Sequence, residues 1–458
     1  MSTTPMAFGH ITPETLGLFT DLYEIRMMEG YLAADHTAEA TFSLFFRKLP
    51  PHRGYVVAAG LEQVIAALED LSFGERALSY LAAQDVGEEL LSFLEDFSFS
   101  GEVRAIPEGT VVFPNEPMVE VTAPIAEAQL LETLLINQIA FPSLIATKAA
   151  RMRDVIDRKG NDQTLVDFGS RRAHGTDAGI KAGRAAYVGG FDGTSNLAAG
   201  EAFDVPVYGT MAHSWVQSFP TERAAFEAFV DVFGDDSVLL IDTYDTVNGA
   251  ETAVEVAEEA GVDLAGVRLD SGDLAALSQE VAPIVGDADV FISSGMDEYA
   301  IADFFEDGGV GDGFGPGTAL VTSTDAPKLE GVYKLVAVEE DGEFVPSMKL
   351  STGKVSYPGQ KSVRRIEGAD GFESDVLAAR GESGPGEELL VTVYEGGELV
   401  YTPPDLDAIR ERRAEQVGAL PSGVRKIRDP AEYPVEVSDD LEATTDSLQS
   451  DLEDRYLD

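Results

Sequence analysis

Of the five histidines in this 458-residue sequence, His213 is the one placed for chemistry. It stands in Gly209-Thr-Met-Ala-His-Ser-Trp, just after a predicted strand and beside the only tryptophan. An imidazole at a strand's C-terminal end, flanked by hydroxyls, can act as nucleophile or proton carrier near neutral pH, although a lone histidine more often serves packing. Asp242, Asp245, Asp270 and Asp273 fall at two further strand ends, in Asp-Thr-Tyr-Asp and Asp-Ser-Gly-Asp. Such carboxylates suit a magnesium ion that keeps several waters and carries a diphosphate. Helix capping is the competing use of aspartate at these points, and it accounts best for Asp273.

Positive charge is scarce, so its clustering is informative. Lys349, Lys354, Lys361, Arg364 and Arg365 form one group and Arg171, Arg172, Lys181 and Arg184 another. Two cationic islands imply a polyanionic ligand, phosphate being the natural one because Arg and Lys give it charge-assisted hydrogen bonds. Internal pairing with the abundant carboxylates is the alternative. Thr352-Gly-Lys-Val is not a P-loop: no glycine precedes it at the required spacing, and Val355 stands where Ser or Thr must meet magnesium. Gly308 to Thr318 holds six glycines in eleven residues, a backbone able to aim several N–H groups at one point. A phosphate cradle and a plain flexible loop both fit that composition.

The elements that must position these groups follow one rhythm from about residue 164 to 325: a β-branched run, a polar or glycine-rich corner, then a helical stretch. Candidate strands begin at Thr164, Ala186, Val205, Val238, Val267 and Val290. Strands alternating with helices imply a parallel sheet, and polar groups at successive strand C-termini are where a β/α barrel builds its active site. The expected fold is therefore α/β with a TIM-barrel-like core at 126–330, a doubly wound open sheet being the runner-up. Residues 126–158 carry helical periodicity and lead into the core. Residues 1–125 read as a separate α+β domain. Residues 331–458 form a C-terminal extension, partly packed back on that domain, with turns at Asp341-Gly and Glu395-Gly-Gly, a helix over 405–418 and an acidic, partly mobile end.

The bulk composition narrows the function classes. Acidic residues outnumber basic ones 82 to 32, giving a net charge of −50, and they are dispersed along the chain. Molar salt shortens the Debye length to about 3 Å and makes such a surface tolerable, so adaptation to high salt is expected. Nucleic-acid binding, which needs a broad basic surface, is not. The absence of cysteine excludes disulfides, thiolate catalysis and cysteine-ligated metals. No apolar run approaches the roughly 18 residues that span a bilayer, and Met-Ser-Thr-Thr-Pro-Met lacks the order of a signal peptide, so a cytoplasmic protein without membrane contact is expected.

Together these stretches resemble the nicotinate phosphoribosyltransferase family over nearly the whole chain. The likeness begins at Thr20-Asp-Leu-Tyr and Phe45-Phe-Arg and runs through Asp167-Phe-Gly-Ser-Arg-Arg-Ala, Gly190-Phe-Asp-Gly-Thr-Ser-Asn and Gly209-Thr-Met-Ala-His-Ser. It continues in Asp242-Thr-Tyr-Asp, Arg268-Leu-Asp-Ser-Gly-Asp, Ser293-Ser-Gly-Met-Asp, Gly331-Val-Tyr-Lys-Leu and Tyr357-Pro-Gly-Gln-Lys.

The resemblance implies a type II phosphoribosyltransferase fold and an ATP-coupled reaction in which nicotinate and phosphoribosyl pyrophosphate give nicotinate mononucleotide and pyrophosphate. It makes His213 the phosphorylated residue, with ATP as co-substrate and Mg2+ at Asp242 and Asp270. Phe168, and Tyr23 from the partner in a homodimer with shared active sites, are expected to sandwich the pyridine ring. Thr210 and Arg268 are expected to hold nicotinate, Arg171 to lie near ring and phosphates, and Ser294, Gly295, Gly315, Gly317 and Thr318 to hold phosphate. Relatives that use nicotinamide carry aspartate where this chain has Ser195, and serine removes the repulsion an aspartate would exert on a carboxylate substrate. Some microbial relatives have a cysteine-bound metal knuckle near the C-terminus, which this chain lacks the residues to form. A barrel phosphosugar lyase, a quinolinate phosphoribosyltransferase and a non-catalytic nucleotide-binding protein are the competing readings. The first usually needs a strand-end lysine, and none is apparent.

Overall fold

Four of the β-branched runs become strands of one parallel sheet, and two shorter segments join them. In spatial order the strands are Gly193–Thr194, Thr164–Asp167, Gly313–Gly315, Asp289–Ser293, Gly266–Leu269 and Val238–Leu240, every neighbouring pair being parallel. A single parallel bridge adds Val207 beside Thr194. In this sheet the last strand in chain order, Gly313–Gly315, pairs with the first, Thr164–Asp167, so chain order runs cyclically around the sheet. That is barrel order, and it rejects the doubly wound alternative, in which the order reverses at a switch point. Among the described residues no ladder joins Val207 to Val238–Leu240, so the ring is open there. The computed structural model describes residues 11–350 and 356–457.

Leu165, Val166, Leu239, Leu240, Val267, Leu269, Val290, Ile292 and Phe314 are buried, the near-continuous apolar runs expected of strands covered on both faces. Aspartates start the helices that follow. Asp245, Asp273 and Asp297 each accept a backbone N–H of the first turn after them, satisfying donors that a helix end leaves orphaned. Asp273 is thus the cap it was expected to be, and Asp245 is another.

Three expectations are corrected. Ala186–Val188 ends the helix Thr176–Val188, and the strand begins only at Gly193; a short buried apolar run does not declare its period. Val205–Gly209 contributes one bridge instead of a strand. The glycine-rich segment is no simple loop, since Gly313–Gly315 is a strand in the ring. Its neighbours require the missing side chains: a Cβ on Gly313 would lie 2.3 Å from the Phe291 ring, and one on Gly315 2.3 Å from the Phe168 ring.

The chain divides into two compact units, residues up to Leu144 with those from Lys328 onward, and Ile145–Pro327. The expected boundaries at 125/126 and 330/331 shift accordingly, and the first falls inside the helix Glu132–Lys159. The early part of that helix supplies Leu134, Leu135 and Ile139 to the core of the first unit. Its later part pairs Lys148 with Glu298 and Asp325 in the second.

In the first unit, strands from both ends of the chain share one antiparallel sheet, in which Gly331–Glu340 lies beside Glu39–Phe46. The C-terminal segment is therefore part of this unit's core, with Tyr333 stacked on Phe42 at 4.9 Å. Both expected turns are present, with positive φ at Asp341, Gly342, Gly396 and Gly397, conformations that two-residue hairpins demand. The expected second helix spans Leu406–Ala419. The acidic end, expected to be partly mobile, is the helix Asp439–Tyr456, capped by Ser438 and anchored by buried Leu441 and Thr445. Among the described residues, no helix is long and apolar enough to cross a membrane.

Candidate functional site

His213 opens the short helix His213–Gln217. Its Nδ1 lies 3.2 Å from Thr243 Oγ1, and its Nε2 lies 3.7 Å from Asp270 Oδ2, too far for a hydrogen bond. The side chain is 37 % exposed, so a co-substrate can reach it. Asp270 is held from the other side, its Oδ1 accepting from Ser293 Oγ at 2.6 Å. Asp242 Oδ2 accepts from Asp270 N at 2.9 Å and Ser271 Oγ at 2.6 Å. Its Oδ1 is buried and without a hydrogen-bond partner. The ends of Val238–Leu240 and Gly266–Leu269 thus bring two carboxylates beside the imidazole that opens His213–Gln217, and the end of Asp289–Ser293 adds the Ser293 hydroxyl.

An aromatic and cationic wall stands beside them. The Arg268 guanidinium donates through Nη1 to Thr210 Oγ1 and lies 6.0 Å from the centre of the Phe168 ring. Its Nε is buried and unpartnered. Burial pulls the Arg268 pKa below the usual arginine range; Asp270 and Asp242 oppose that shift, and the Arg171 charge adds to it. Phe168 cannot drop into the ring, because its N–H bonds Pro316 O at 2.9 Å and Gly315 lies directly against its face. Ser195 follows the strand Gly193–Thr194 and is exposed, its N–H bonded to Asp167 O at 2.8 Å.

The expected phosphate residues lie at two neighbouring strand ends. Ser294 and Gly295 follow Asp289–Ser293, both at positive φ and both exposed. Gly317 and Thr318 follow Gly313–Gly315 and start the turn Thr318–Val321. Arg171 and Arg172 are exposed just beyond Phe168. Tyr23 belongs to the other unit, where it is 45 % exposed and its hydroxyl pKa is raised by burial and by Glu132 and Glu24.

The cationic island at 349–365 is corrected in part: Lys361, Arg364 and Arg365 are internal partners, whereas Lys349 is exposed. Lys361 is buried, 3.3 Å from Glu120 Oε1 and bonded to Gly359 O at 2.7 Å. Arg365 grips Asp375 through two nitrogens at 2.9 and 2.5 Å, and Arg364 donates to Glu382 O. Lys354 lies outside the described residues, as does Thr352-Gly-Lys-Val. In the second island Lys181 pairs with Asp177 at 3.0 Å, and Arg184 is buried against Phe203 at 5.8 Å. Only Arg171 and Arg172 of that island remain at the surface.

Thr243, Ser293 and Asp167 complete the polar frame, and sequence reasoning assigned no role to any of them. Each directly adjoins a residue it did single out and lies within a motif that carries the resemblance, and neither fact gave it a role. Glu222 is a further addition: its Oε1 is buried without a partner, and burial, with Asp245 and Asp242, raises its pKa.

Comparison with known proteins identifies the family. Family models described as the nicotinate phosphoribosyltransferase N-terminal domain, family and C-terminal domain match residues 18–140, 163–368 and 378–445. A nicotinate phosphoribosyltransferase of Mycobacterium tuberculosis is 46 % identical over 432 residues, covering 92 % of this chain and 91 % of the relative. The Bacillus subtilis enzyme of that name is 40 % identical, covering 93 % and 94 %. The crystal structure of human nicotinic acid phosphoribosyltransferase superposes with a TM-score of 0.82 at 30 % identity, covering 94 % of this chain and 99 % of the human one. The fold is thus that of a type II phosphoribosyltransferase, and the chain belongs to the nicotinate phosphoribosyltransferase family.

Proposed function

We propose that this chain is a cytoplasmic enzyme of NAD biosynthesis that transfers phosphoribosyl from phosphoribosyl pyrophosphate to nicotinate, releasing nicotinate mononucleotide and pyrophosphate, with ATP hydrolysis coupled through phosphorylated His213. The observation that carries the substrate assignment is the Arg268 guanidinium held by Thr210 at the Phe168 ring. A flat aromatic face and a buried cation are complementary to a pyridine ring bearing a carboxylate. Tyr23 of a second copy of the chain is proposed to cover the other face of the ring. Ser195 places no negative charge by the substrate carboxylate, which favours the acid over the amide.

The pyridine nitrogen is already nucleophilic, so the transfer needs no general base. The protein must align that nitrogen with the ribosyl carbon and stabilise the departing diphosphate. Arg171 with the Ser294–Gly295 and Gly315–Thr318 segments supports the phosphates in this reading. Asp242 and Asp270 fit a Mg2+ site, because Asp242 Oδ1 is a buried acceptor that no protein group satisfies. Bound there, Mg2+ supplies charge neutralisation to that diphosphate. In the tautomer whose Nδ1–H donates to Thr243 Oγ1, the His213 Nε2 lone pair is available to accept a phosphoryl group.

The test incubates the protein at high salt with labelled nicotinate, phosphoribosyl pyrophosphate and magnesium, with and without ATP. Labelled mononucleotide is expected, formed faster with ATP. His213→Ala is expected to retain basal transfer and lose the ATP stimulation. Stimulation that survives the substitution defeats the phosphohistidine assignment, and incorporation of nicotinamide or quinolinate in place of nicotinate defeats the substrate assignment.

A further inference from the structure

We propose that Asp167 is a positioning residue for the pyridine pocket, one buried carboxylate that fixes the Phe168 turn and the Ser195 turn relative to each other. It ends the strand Thr164–Asp167 and is 0 % exposed. Its Oδ1 accepts from Gly169 N at 2.8 Å, on the far side of Phe168. Its Oδ2 accepts from Thr194 Oγ1 at 2.9 Å, directly before Ser195. Its backbone carbonyl accepts from Ser195 N at 2.8 Å. One residue therefore holds both neighbours of the two pocket walls.

No Lys or Arg pairs with Asp167 among the described residues, so the carboxylate is buried against neutral donors alone. A residue serving only to fill the core has no need of that arrangement, since burying a charge without a counter-ion is costly. What the carboxylate adds over an apolar residue is two directed acceptors, each aimed at a different loop. The linkage is reinforced where Asn196 Nδ2 donates to Ser170 Oγ. It passes on through Thr194 Oγ1, which accepts from Asn196 N at 3.1 Å. On the other flank the Phe168 ring is backed by Gly315 and its N–H is tied to Pro316. The Phe168 turn is thus held on one flank by Gly315 and Pro316 and on the other by Asp167.

This inference rests on Phe168 and Ser195 contacting the pyridine substrate. Two variants separate the claims. Thr194→Val keeps shape while removing the hydroxyl that links Asp167 to the Ser195 turn. Asp167→Asn keeps an acceptor for Gly169 N–H but turns an NH2 toward Thr194 Oγ1. Both are expected to raise the nicotinate KM by about fivefold or more, the effect of one lost buried hydrogen bond, and to leave the phosphoribosyl pyrophosphate KM within about twofold. Both are also expected to narrow the preference for nicotinate over nicotinamide. Equal shifts in both KM values, or a lowered melting temperature with unchanged KM values, overturn the positioning role and leave Asp167 a structural residue. Should the wild-type protein bind phosphoribosyl pyrophosphate but turn over no nicotinate, the underlying substrate reading fails and this proposal with it.

Discussion

At the scale of single residues, contact distance decides which groups can change. Phe168 rests on Gly315 so closely that any side chain at 315 must displace the ring. Overpacking of this kind costs about 1–3 kcal/mol, and each 1.4 kcal/mol is about tenfold in affinity. Gly315→Ala is therefore expected to raise the nicotinate KM by roughly tenfold, read by steady-state kinetics, and an unchanged KM would show that the ring position does not matter for binding. A second residue-scale prediction concerns Glu116, which lies in the other unit. It is fully buried, and its pKa is raised well above the usual range, first by burial and then by the Asp375 charge, with Arg365 opposing. A group whose folded pKa is raised binds its proton more tightly when folded. Its stabilising contribution is complete below the unfolded glutamate value near 4.5 and is lost as pH climbs through the folded value. The wild-type melting temperature should thus fall with rising pH over a range where Glu116→Gln stays flatter, the amide keeping an acceptor for Phe113 N–H, which Glu116 Oε2 holds at 2.7 Å. Parallel pH curves for the two proteins would remove Glu116 as the cause.

At the scale of elements, buried ion pairs tie the segments that follow Asp289–Ser293 and Gly313–Gly315 to the long helix. Lys148 is 1 % exposed, 2.5 Å from Glu298 Oε2 and 2.8 Å from Asp325 Oδ1. Glu298 follows the Ser294–Gly295 turn, and Asp325 follows the Gly315–Thr318 segment. Removing one partner of a buried pair costs about 3–5 kcal/mol. Arg151 Nε still lies 2.9 Å from Glu298 in its absence, so Lys148→Met should lose about 3 kcal/mol, near the low end of that range. Urea denaturation measures the loss, and the exposed Lys328–Glu330 pair, altered as Lys328→Ala, should show no measurable change. A Lys148→Met protein as stable as wild type would sink the claim. What could be read from sequence at this scale follows the same division between strong local signals and tertiary ones. Runs such as Val238–Leu240 and Asp289–Ser293 announce themselves through β-branched and apolar residues, and Asp273 announces a cap. Gly313–Gly315 does not, since three residues with two glycines have no strand preference of their own. It is a strand because neighbours on either side supply its hydrogen bonds and the Phe168 and Phe291 rings occupy the space its side chains would need. His213, Asp242 and Asp270 stand out in the sequence because chemistry limits their residue types, and Arg268 stands out only through the family resemblance. Asp167 was not, because its role lies in which two loops it joins, and no local pattern encodes that.

At the scale of the whole molecule, the charge of −50 raises the question of how much salt the fold requires. The chain exposes 21070 Å², or about 420 Å² per net charge, a mean spacing of about 21 Å. The Debye length is already about 8 Å at 0.15 M salt, so repulsion between evenly spread charges is mostly screened there, and average charge alone gives no reason for stability to rise further. The carboxylates are not evenly spread. Pairs and runs such as Asp235-Asp236, Glu258-Glu259 and Glu339-Glu340-Asp341 put like charges on adjacent residues, separations that only the roughly 3 Å Debye length of molar salt reaches. Uniform screening therefore predicts a melting temperature that levels off by about 0.2 M KCl, whereas local crowding predicts a rise continuing beyond about 1 M. We expect the second, as in a protein adapted to high salt, with a neutral osmolyte such as trehalose at matched osmolality giving a smaller gain. Glu340→Gln/Glu343→Gln should flatten the upper part of the KCl curve without altering its lower part, because these two carboxylates face each other across a hairpin, so the change removes a short-range repulsion and barely changes the total charge. A plateau by 0.2 M in the wild-type protein would mean that its acidity is a matter of solubility alone.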